Sequence, residues 1–136
     1  MLPLRHERLW RSLSVFLLLV VLAGTLTPSV WFDSKVEALI WFENVDKWIH
    51  GLSFLFLSVW FAGLWERRAY WRIAAGLMLF GFIVEGCQLL VSYRTADWLD
   101  IAANTVGIMV GLMAATAGLG GWGPRLEARY SRTRQR

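Results

Sequence analysis

Residues 12–32 read SLSVFLLLVVLAGTLTPSVWF, and none of these side chains is ionisable. A helix needs about 20 predominantly apolar residues to cross the hydrocarbon core of a bilayer. Two further stretches, residues 73–84 and 101–124, also carry no charge. They lack the charged face that a helix on the surface of a soluble protein repeats every third or fourth residue. The pattern therefore predicts transmembrane helices.

The composition of the whole chain agrees with this prediction. Of its 136 residues, 57% are hydrophobic and only 18% are charged, which is too little polar surface for a soluble domain of this length. We predict an all-α, integral membrane four-helix bundle. Its four spans are expected at about residues 12–31, 46–65, 70–92 and 97–122. The predicted organisation is one transmembrane domain, residues 12–122, between a short cytoplasmic segment, residues 1–11, and a basic cytoplasmic tail, residues 123–136.

The distribution of Lys and Arg predicts the orientation of the bundle. Eleven of them fall in the N-terminal segment, the middle loop and the tail, and three fall in the two other loops. Because cytoplasmic loops carry the excess of positive charge, both termini are predicted in the cytoplasm. The net charge of +4 is therefore an orientation signal, and no nucleic-acid partner is predicted.

Smaller patterns predict details of the packing. Residues 33–45 mix apolar and acidic side chains, which is typical of a short helix lying in the membrane interface. The pair Gly107 and Gly111 has the spacing that lets two helices approach closely, and Gly24 and Gly76 are interpreted in the same way. Tryptophans near both ends of the predicted spans indicate aromatic belts at the headgroup level.

Polar and ionisable side chains are predicted to gather near the outer ends of helices 2, 3 and 4. On helix 2, Asp46 and His50 are i, i+4 neighbours, and on helix 3, Glu85 and Gln88 share one face. Lipid cannot solvate such groups, so these faces should turn inward and meet. The candidate binding residues are Asp46, Lys47, His50, Glu85, Gln88, Arg94, Asp97, Asp100 and Asn104.

Glu85 is the deepest ionisable group, roughly 10 Å below the outer end of helix 3. A charged side chain in the middle of a bilayer costs about 2.5–3.5 kcal/mol on insertion scales, so Glu85 should be protonated, paired or reached by water. Glu85 and His50 are the candidate catalytic residues. No cofactor is predicted and no metal ligand is assigned. A hard divalent cation such as Mg²⁺ or Ca²⁺ is the minor alternative, and its oxygen-rich ligands would come from Asp46, His50, Glu85, Asp97 and Asp100.

These residues resemble the VanZ-like family of small membrane proteins, named after an accessory protein of resistance to the glycopeptide teicoplanin. The similar motifs are Asp46-Lys47-x-x-His50, Glu85-x-x-Gln88 and Arg94-x-x-Asp97-x-x-Asp100-x-x-x-Asn104-x-x-Gly107, and the Thr27-Pro28 end of helix 1 is similar too. The resemblance implies a multi-pass protein of the bacterial cytoplasmic (inner) membrane. It also implies a link to the cell envelope, to antibiotic resistance and to teicoplanin tolerance.

Four functions stay open at this point. The first is binding or remodelling of an envelope lipid or a lipid-linked cell-wall intermediate, with Lys47 and Arg94 facing its phosphate. The second is an enzyme in which His50 and Glu85 form an acid/base pair. The third is a proton- or ion-coupled transporter that titrates Glu85, and four short helices would need an oligomer for that task. The fourth is a purely structural protein whose polar cluster locks the helices together.

Overall fold

The computed structural model describes residues 1–26, 45–90 and 97–133, and its regular structure in these ranges is entirely helical. The helices are α1 (Glu7–Leu26), α2 (Val45–Leu64), α3 (Tyr70–Leu89), α4 (Trp98–Ala114) and α5 (Trp122–Thr133). A 3₁₀ turn, Arg67–Ala69, precedes α3, and a π-helical turn, Ala115–Leu119, extends α4. The predicted all-α class is confirmed. The predicted interfacial helix and the Thr27-Pro28 motif lie outside the described residues.

Four of these helical segments are long and apolar enough to cross a membrane. They are α1, α2, α3 with its preceding 3₁₀ turn, and α4 with its π-helical extension. The chain is therefore a multi-pass membrane protein with the four spans that the sequence predicts. Their outward faces carry large apolar side chains that stay exposed, among them Phe16, Leu19, Phe56, Leu79, Phe82 and Met109.

The first span begins earlier than predicted, at Glu7 instead of residue 12. The Arg11 guanidinium lies 2.5 Å from the Glu7 carboxylate one turn before it, and a carboxylate in the first turn also suits the positive end of the helix dipole. The charged residues Glu7, Arg8 and Arg11 therefore belong to the same helix as the first apolar stretch.

The fourth span ends in a distorted turn that the sequence pattern does not reveal. Gly118 has φ 138° within the π-helical turn, a conformation that residues with a Cβ rarely adopt. The chain then enters α5, most of which falls in the predicted basic tail, residues 123–136. Trp122–Thr133 form a helix, and part of this helix packs back against the N-terminal segment.

The closest packing in the bundle joins α2 to α4. Gly107 faces the backbone of Gly51, and a Cβ at Gly111 would lie 2.6 Å from the Leu55 carbonyl oxygen. The role predicted for Gly107 and Gly111 is confirmed, because any side chain there would push the helices apart.

The same interpretation of Gly24 and Gly76 was wrong. Within the described part of the chain, no neighbouring heavy atom lies within 4 Å of a Cβ placed at either position. Gly76 instead lines an apolar groove next to Leu77 and Phe80. Of these four glycines, the two in α4 lie at a close helix contact, whereas Gly24 in α1 and Gly76 in α3 do not.

Both termini lie at one end of the bundle. The backbone N–H of Leu2 donates to the Leu64 carbonyl at 2.9 Å, and that of Gly121 donates to the Ala62 carbonyl at 3.0 Å. We call this end, which holds residues 1–10 and α5, the terminal end. The opposite end, which holds Thr25 and His50, is called the cluster end.

Three indole rings pack together at the terminal end. Trp10 and Trp60 each contact Trp122, with ring centroids 5.4 and 5.0 Å away. Trp10 is 8% exposed, so it is buried among the helices at this end of the bundle. Its indole N–H donates to the Glu127 carboxylate at 2.9 Å, which ties α1 to α5.

Glu127 also receives hydrogen bonds from the N-terminal segment. The backbone N–H groups of Arg5 and His6 donate to its two oxygens at 2.6 and 3.0 Å. Burial raises the pKa of Glu127, but the hydrogen bonds from Arg5, Trp10 and His6 outweigh it and hold the pKa below its usual value. One carboxylate thus connects both ends of the described chain.

Replacing Glu127 by Gln should lower the free energy of unfolding by about 1–3 kcal/mol, since hydrogen bonds to a charged acceptor are lost. The folded-state pKa lies below the ordinary pKa of 4.5 that the unfolded chain has, so this stabilisation is complete above that ordinary pKa. It disappears as pH falls through the folded-state pKa. Thermal unfolding in detergent between pH 3 and 7 checks both effects. A wild-type and variant difference that stays constant over this range would contradict the titration.

Candidate functional site

Five polar side chains from three spans meet at the cluster end. Each is at most 5% exposed, although the surrounding helices are apolar. We call this group the polar cluster; its members are His50, Glu85, Gln88, Asp100 and Asn104. All five are among the nine residues selected from the sequence, and the structure brings them together as their helical spacing requires. Their role in binding stays a prediction.

Helix geometry explains the convergence. Glu85 and Gln88 are three residues apart on α3, and Asp100 and Asn104 are four residues apart on α4, so each pair shares one helix face. His50 lies near the start of α2, opposite Asn104 across the glycine-lined contact with α4. Because α2 and α4 approach each other closely, the His50 imidazole lies within reach of Asn104 and Asp100 on α4.

The first connection within the cluster fixes the imidazole ring. His50 Nδ1 lies 3.1 Å from Asn104 Oδ1. An amide oxygen only accepts hydrogen bonds, so the Nδ1 N–H donates to Asn104. The second ring nitrogen, Nε2, lies 3.5 Å from Gln88 Nε2, which is long for a hydrogen bond.

Gln88 has a better partner on the first helix. Its side-chain N–H donates to the Thr25 carbonyl oxygen at 3.0 Å, and Thr25 is 3% exposed. This bond brings α1 to the cluster, so all four spans meet there. Sequence reasoning missed Thr25 because a backbone carbonyl can come from any residue type.

Two carboxylates lie near His50 Nε2, the ring nitrogen that faces away from Asn104. The Asp100 Oδ2 atom is 3.9 Å from His50 Nε2. One carboxylate oxygen each of Glu85 and Asp100 and one His50 ring nitrogen all lie within 4.8 Å of one another. Imidazole nitrogen and carboxylate oxygen are common ligands of divalent metals. His50, Glu85 and Asp100 are therefore the residues of the cluster that could hold a cation.

Two buried polar atoms of the cluster have no hydrogen-bond partner among the described residues. They are Glu85 Oε1 and Asn104 Nδ2, both almost inaccessible to solvent. Glu85 Oε2, by contrast, accepts a weak hydrogen bond of 3.4 Å from the backbone N–H of Asp97. A buried polar group without a partner typically costs about 1–3 kcal/mol. The cluster is thus incompletely satisfied by the protein.

An ion pair lies between the cluster and the surface. Lys47 Nζ is 3.0 Å from Asp97 Oδ2, and the two side chains are 27% and 40% exposed. Asp97 also caps α4, where its side chain accepts from the Leu99 N–H at 2.9 Å. The Leu99 N–H and, after it, the Lys47 ammonium hold the pKa of Asp97 below its ordinary value.

Two of the nine predicted residues cannot be placed in the site. Arg94 lies outside the described residues, and of Asp46 only the backbone, in the first turn of α2, is described. Lys47 and Asp97 do not join the buried group. They form the partly exposed ion pair between the polar cluster and the surface. The sequence therefore predicted the region correctly but not its division into a buried cluster and a surface pair.

Comparison with known proteins identifies the family. The family model described as VanZ/LLP1 matches residues 5–119. The chain belongs to the VanZ/LLP1 family. The match includes all four spans and the whole polar cluster, while α5 lies beyond it. The resemblance to VanZ-like proteins is thereby confirmed.

Searches of curated proteins and of solved structures found no match to this VanZ/LLP1 chain. Function is therefore inferred from the polar cluster and its surroundings.

Proposed function

We propose that this VanZ/LLP1 protein binds or remodels an envelope lipid or a lipid-linked cell-wall intermediate, whose polar headgroup enters at the cluster end. The observation that carries the proposal is the incomplete satisfaction of the cluster. A group of buried side chains that only locked helices together would be expected to pair its polar atoms, yet Glu85 Oε1 and Asn104 Nδ2 have no hydrogen-bond partner in the described structure. These atoms offer one acceptor and one donor to a ligand.

The Lys47–Asp97 pair suits an entrance for an anionic headgroup. Both side chains are partly exposed, so the ion pair is weak and can exchange partners. A lipid phosphate would take the place of the Asp97 carboxylate next to the Lys47 ammonium. Hydroxyl or amine groups of the same headgroup would then reach the polar cluster below.

The charge distribution favours an outward-facing site. The residues at the terminal end include most of the arginines, so this end would face the cytoplasm and the cluster end the outer surface of the bacterial cytoplasmic membrane. Lipid-linked cell-wall precursors are used on that outer surface, and binding them there would connect the protein to teicoplanin tolerance. A reporter fused after Arg136 tests the orientation: activity confined to the outside of the cell would contradict it.

Lipid binding is tested with defined probes on purified protein in detergent. A polyprenyl phosphate and phosphatidylglycerol carry the phosphate, and diacylglycerol does not. Native mass spectrometry should detect the two phosphate lipids on the wild type, and Lys47→Met should weaken their binding by roughly tenfold or more, equivalent to about 1.4 kcal/mol.

The matched control is Arg68→Met. Arg68 also forms an ion pair, with Glu66 at 2.6 Å, but at the terminal end. Its replacement should leave the affinity unchanged. Equal binding by the wild type and Lys47→Met, or binding of diacylglycerol as tight as that of the phosphate lipids, would refute headgroup recognition at the cluster end.

The same incubations decide the enzyme hypothesis. His50 and Glu85 lie close enough to act on one ligand, which is the observation that favours it. Conversion of a bound lipid by the wild type but not by Glu85→Gln would assign catalysis to the cluster. Recovery of every lipid unchanged, with and without a chelator, would leave binding as the function.

A further inference from the structure

The buried cluster contains two carboxylates and one imidazole ring in a small space. Glu85 is 4% exposed and Asp100 is 5% exposed, and their oxygens approach the same His50 nitrogen within 4.8 Å. Two like charges so close together in a site of low dielectric repel each other strongly. A cation between them would remove this repulsion.

We propose that His50 Nε2, Glu85 and Asp100 bind one divalent cation of the borderline class, with Zn²⁺ as its representative. The inference goes beyond lipid binding and does not depend on it. It rests on the orientation of the imidazole, on the unpaired oxygen of Glu85 and on the mixture of nitrogen and oxygen ligands.

The imidazole is oriented as in a metal site. A histidine ligand usually donates its second ring N–H to a carbonyl or carboxylate, which fixes its tautomer and direction. His50 Nδ1 does so toward Asn104 Oδ1 at 3.1 Å, leaving Nε2 to face Asp100. Asn104 thus holds the imidazole in the orientation that the proposed site requires.

Glu85 supplies an independent observation. Its side chain is more than nine-tenths buried, and its Oε1 atom has no hydrogen-bond partner among the described residues. The other oxygen is held by the Asp97 N–H, which orients the carboxylate. A cation requires an oriented carboxylate with one oxygen left to bind it, and the Nε2 atom of His50 lies close enough to bind the same ion.

The ligand types select the metal. The sequence suggested a hard cation held by up to five side chains, but Asp97 is engaged with Lys47 and Leu99. One nitrogen and two carboxylate oxygens favour Zn²⁺ or a similar transition metal over Ca²⁺, because imidazole suits these ions better. Three protein ligands would leave a fourth position open to water or a ligand.

Metal binding is measured on the full chain, purified in detergent, stripped with a chelator and kept free of added lipid. After Zn²⁺ addition and desalting, elemental analysis should find about one ion per chain. Glu85→Gln and Asp100→Asn should each weaken binding by more than roughly 100-fold, and Asn104→Leu by roughly 10–100-fold. Glu127→Gln, which removes a carboxylate at the terminal end, should bind as the wild type does.

A second measurement does not require the variants to fold. The chain has two histidines, His6 and His50, so ¹⁵N-histidine NMR of the wild type gives two pairs of ring signals, and His6→Gln assigns them. Zn²⁺ should shift the His50 signals alone. Absence of stoichiometric Zn²⁺, a shift of His6 only, or wild-type affinity in folded Glu85→Gln would each overturn the proposal. Since lipid is absent throughout, failure here is separate from failure of headgroup binding.

Discussion

Replacing Gly107 by Ala should lower the free energy of unfolding by about 3 kcal/mol, at the upper end of the usual range for overpacking. The new methyl group would overlap the Gly51 carbonyl oxygen, and it would lie 3.0 Å from the Leu55 backbone nitrogen. Both atoms belong to the backbone of α2, so no side-chain rotation can relieve the contact. The helices must separate, which also pulls His50 away from Asn104. Thermal unfolding in detergent measures the loss.

Gly76→Ala is the matched control. It introduces the same methyl group into another apolar span, where no described neighbour lies within 4 Å. The change should leave stability equal or raise it by up to about 1 kcal/mol, because Ala favours the helix more than Gly. If both variants lost the same amount of stability, the tight contact between α2 and α4 would be refuted.

Replacing Glu85 by Met should stabilise the metal-free protein by about 1–2 kcal/mol while abolishing binding at the cluster. Met fills a similar volume, removes the unpaired Oε1 atom and ends the repulsion with Asp100. The weak hydrogen bond from the Asp97 N–H, at 3.4 Å, is the main loss. Unfolding must be followed in excess chelator, because a cation bound to the wild type would make the Glu85→Met variant the less stable of the two.

Gln88→Leu provides the comparison on the same helix. Gln88 donates a good hydrogen bond to the buried Thr25 carbonyl, and its loss should destabilise the bundle by about 1–3 kcal/mol. A gain of stability in Glu85→Met together with a loss in Gln88→Leu would indicate that Glu85 serves ligand binding and that Gln88 serves the structure. A similar loss of stability in both would instead show that Glu85 also serves to hold the helices together.

The spans were predictable because charge is excluded from hydrocarbon. The uncharged stretch in α1 and the arginines before α3 allowed the number and approximate positions of the transmembrane helices to be predicted. The beginning of α1 was not predictable in this way, since Glu7 and Arg11 neutralise each other within one turn. Helix α5 was missed because its polar residues look like a solvated tail until the contact of Glu127 with Arg5 is known.

The polar cluster was predictable from helical spacing, because buried polar groups of neighbouring spans must face one another. Its internal pairing was not. Spacing suggested Asp46 as the neighbour of His50, whereas the described partner of the ring is Asn104, which lies 54 residues further along the chain. The contact of Gln88 with a carbonyl of α1 has no signature in side-chain identity.

The contact between α2 and α4 has a consequence for biogenesis. The ribosome delivers α2 to the membrane before α4 has been made, and α2 has the lowest mean hydropathy of the four spans. At that stage His50 has neither Asn104 nor Asp100 beside it. His50 therefore gains its two partners on α4 only after the fourth span has been made, and in a nascent chain that stops before Trp98 the described polar neighbours of its ring come from α3 alone.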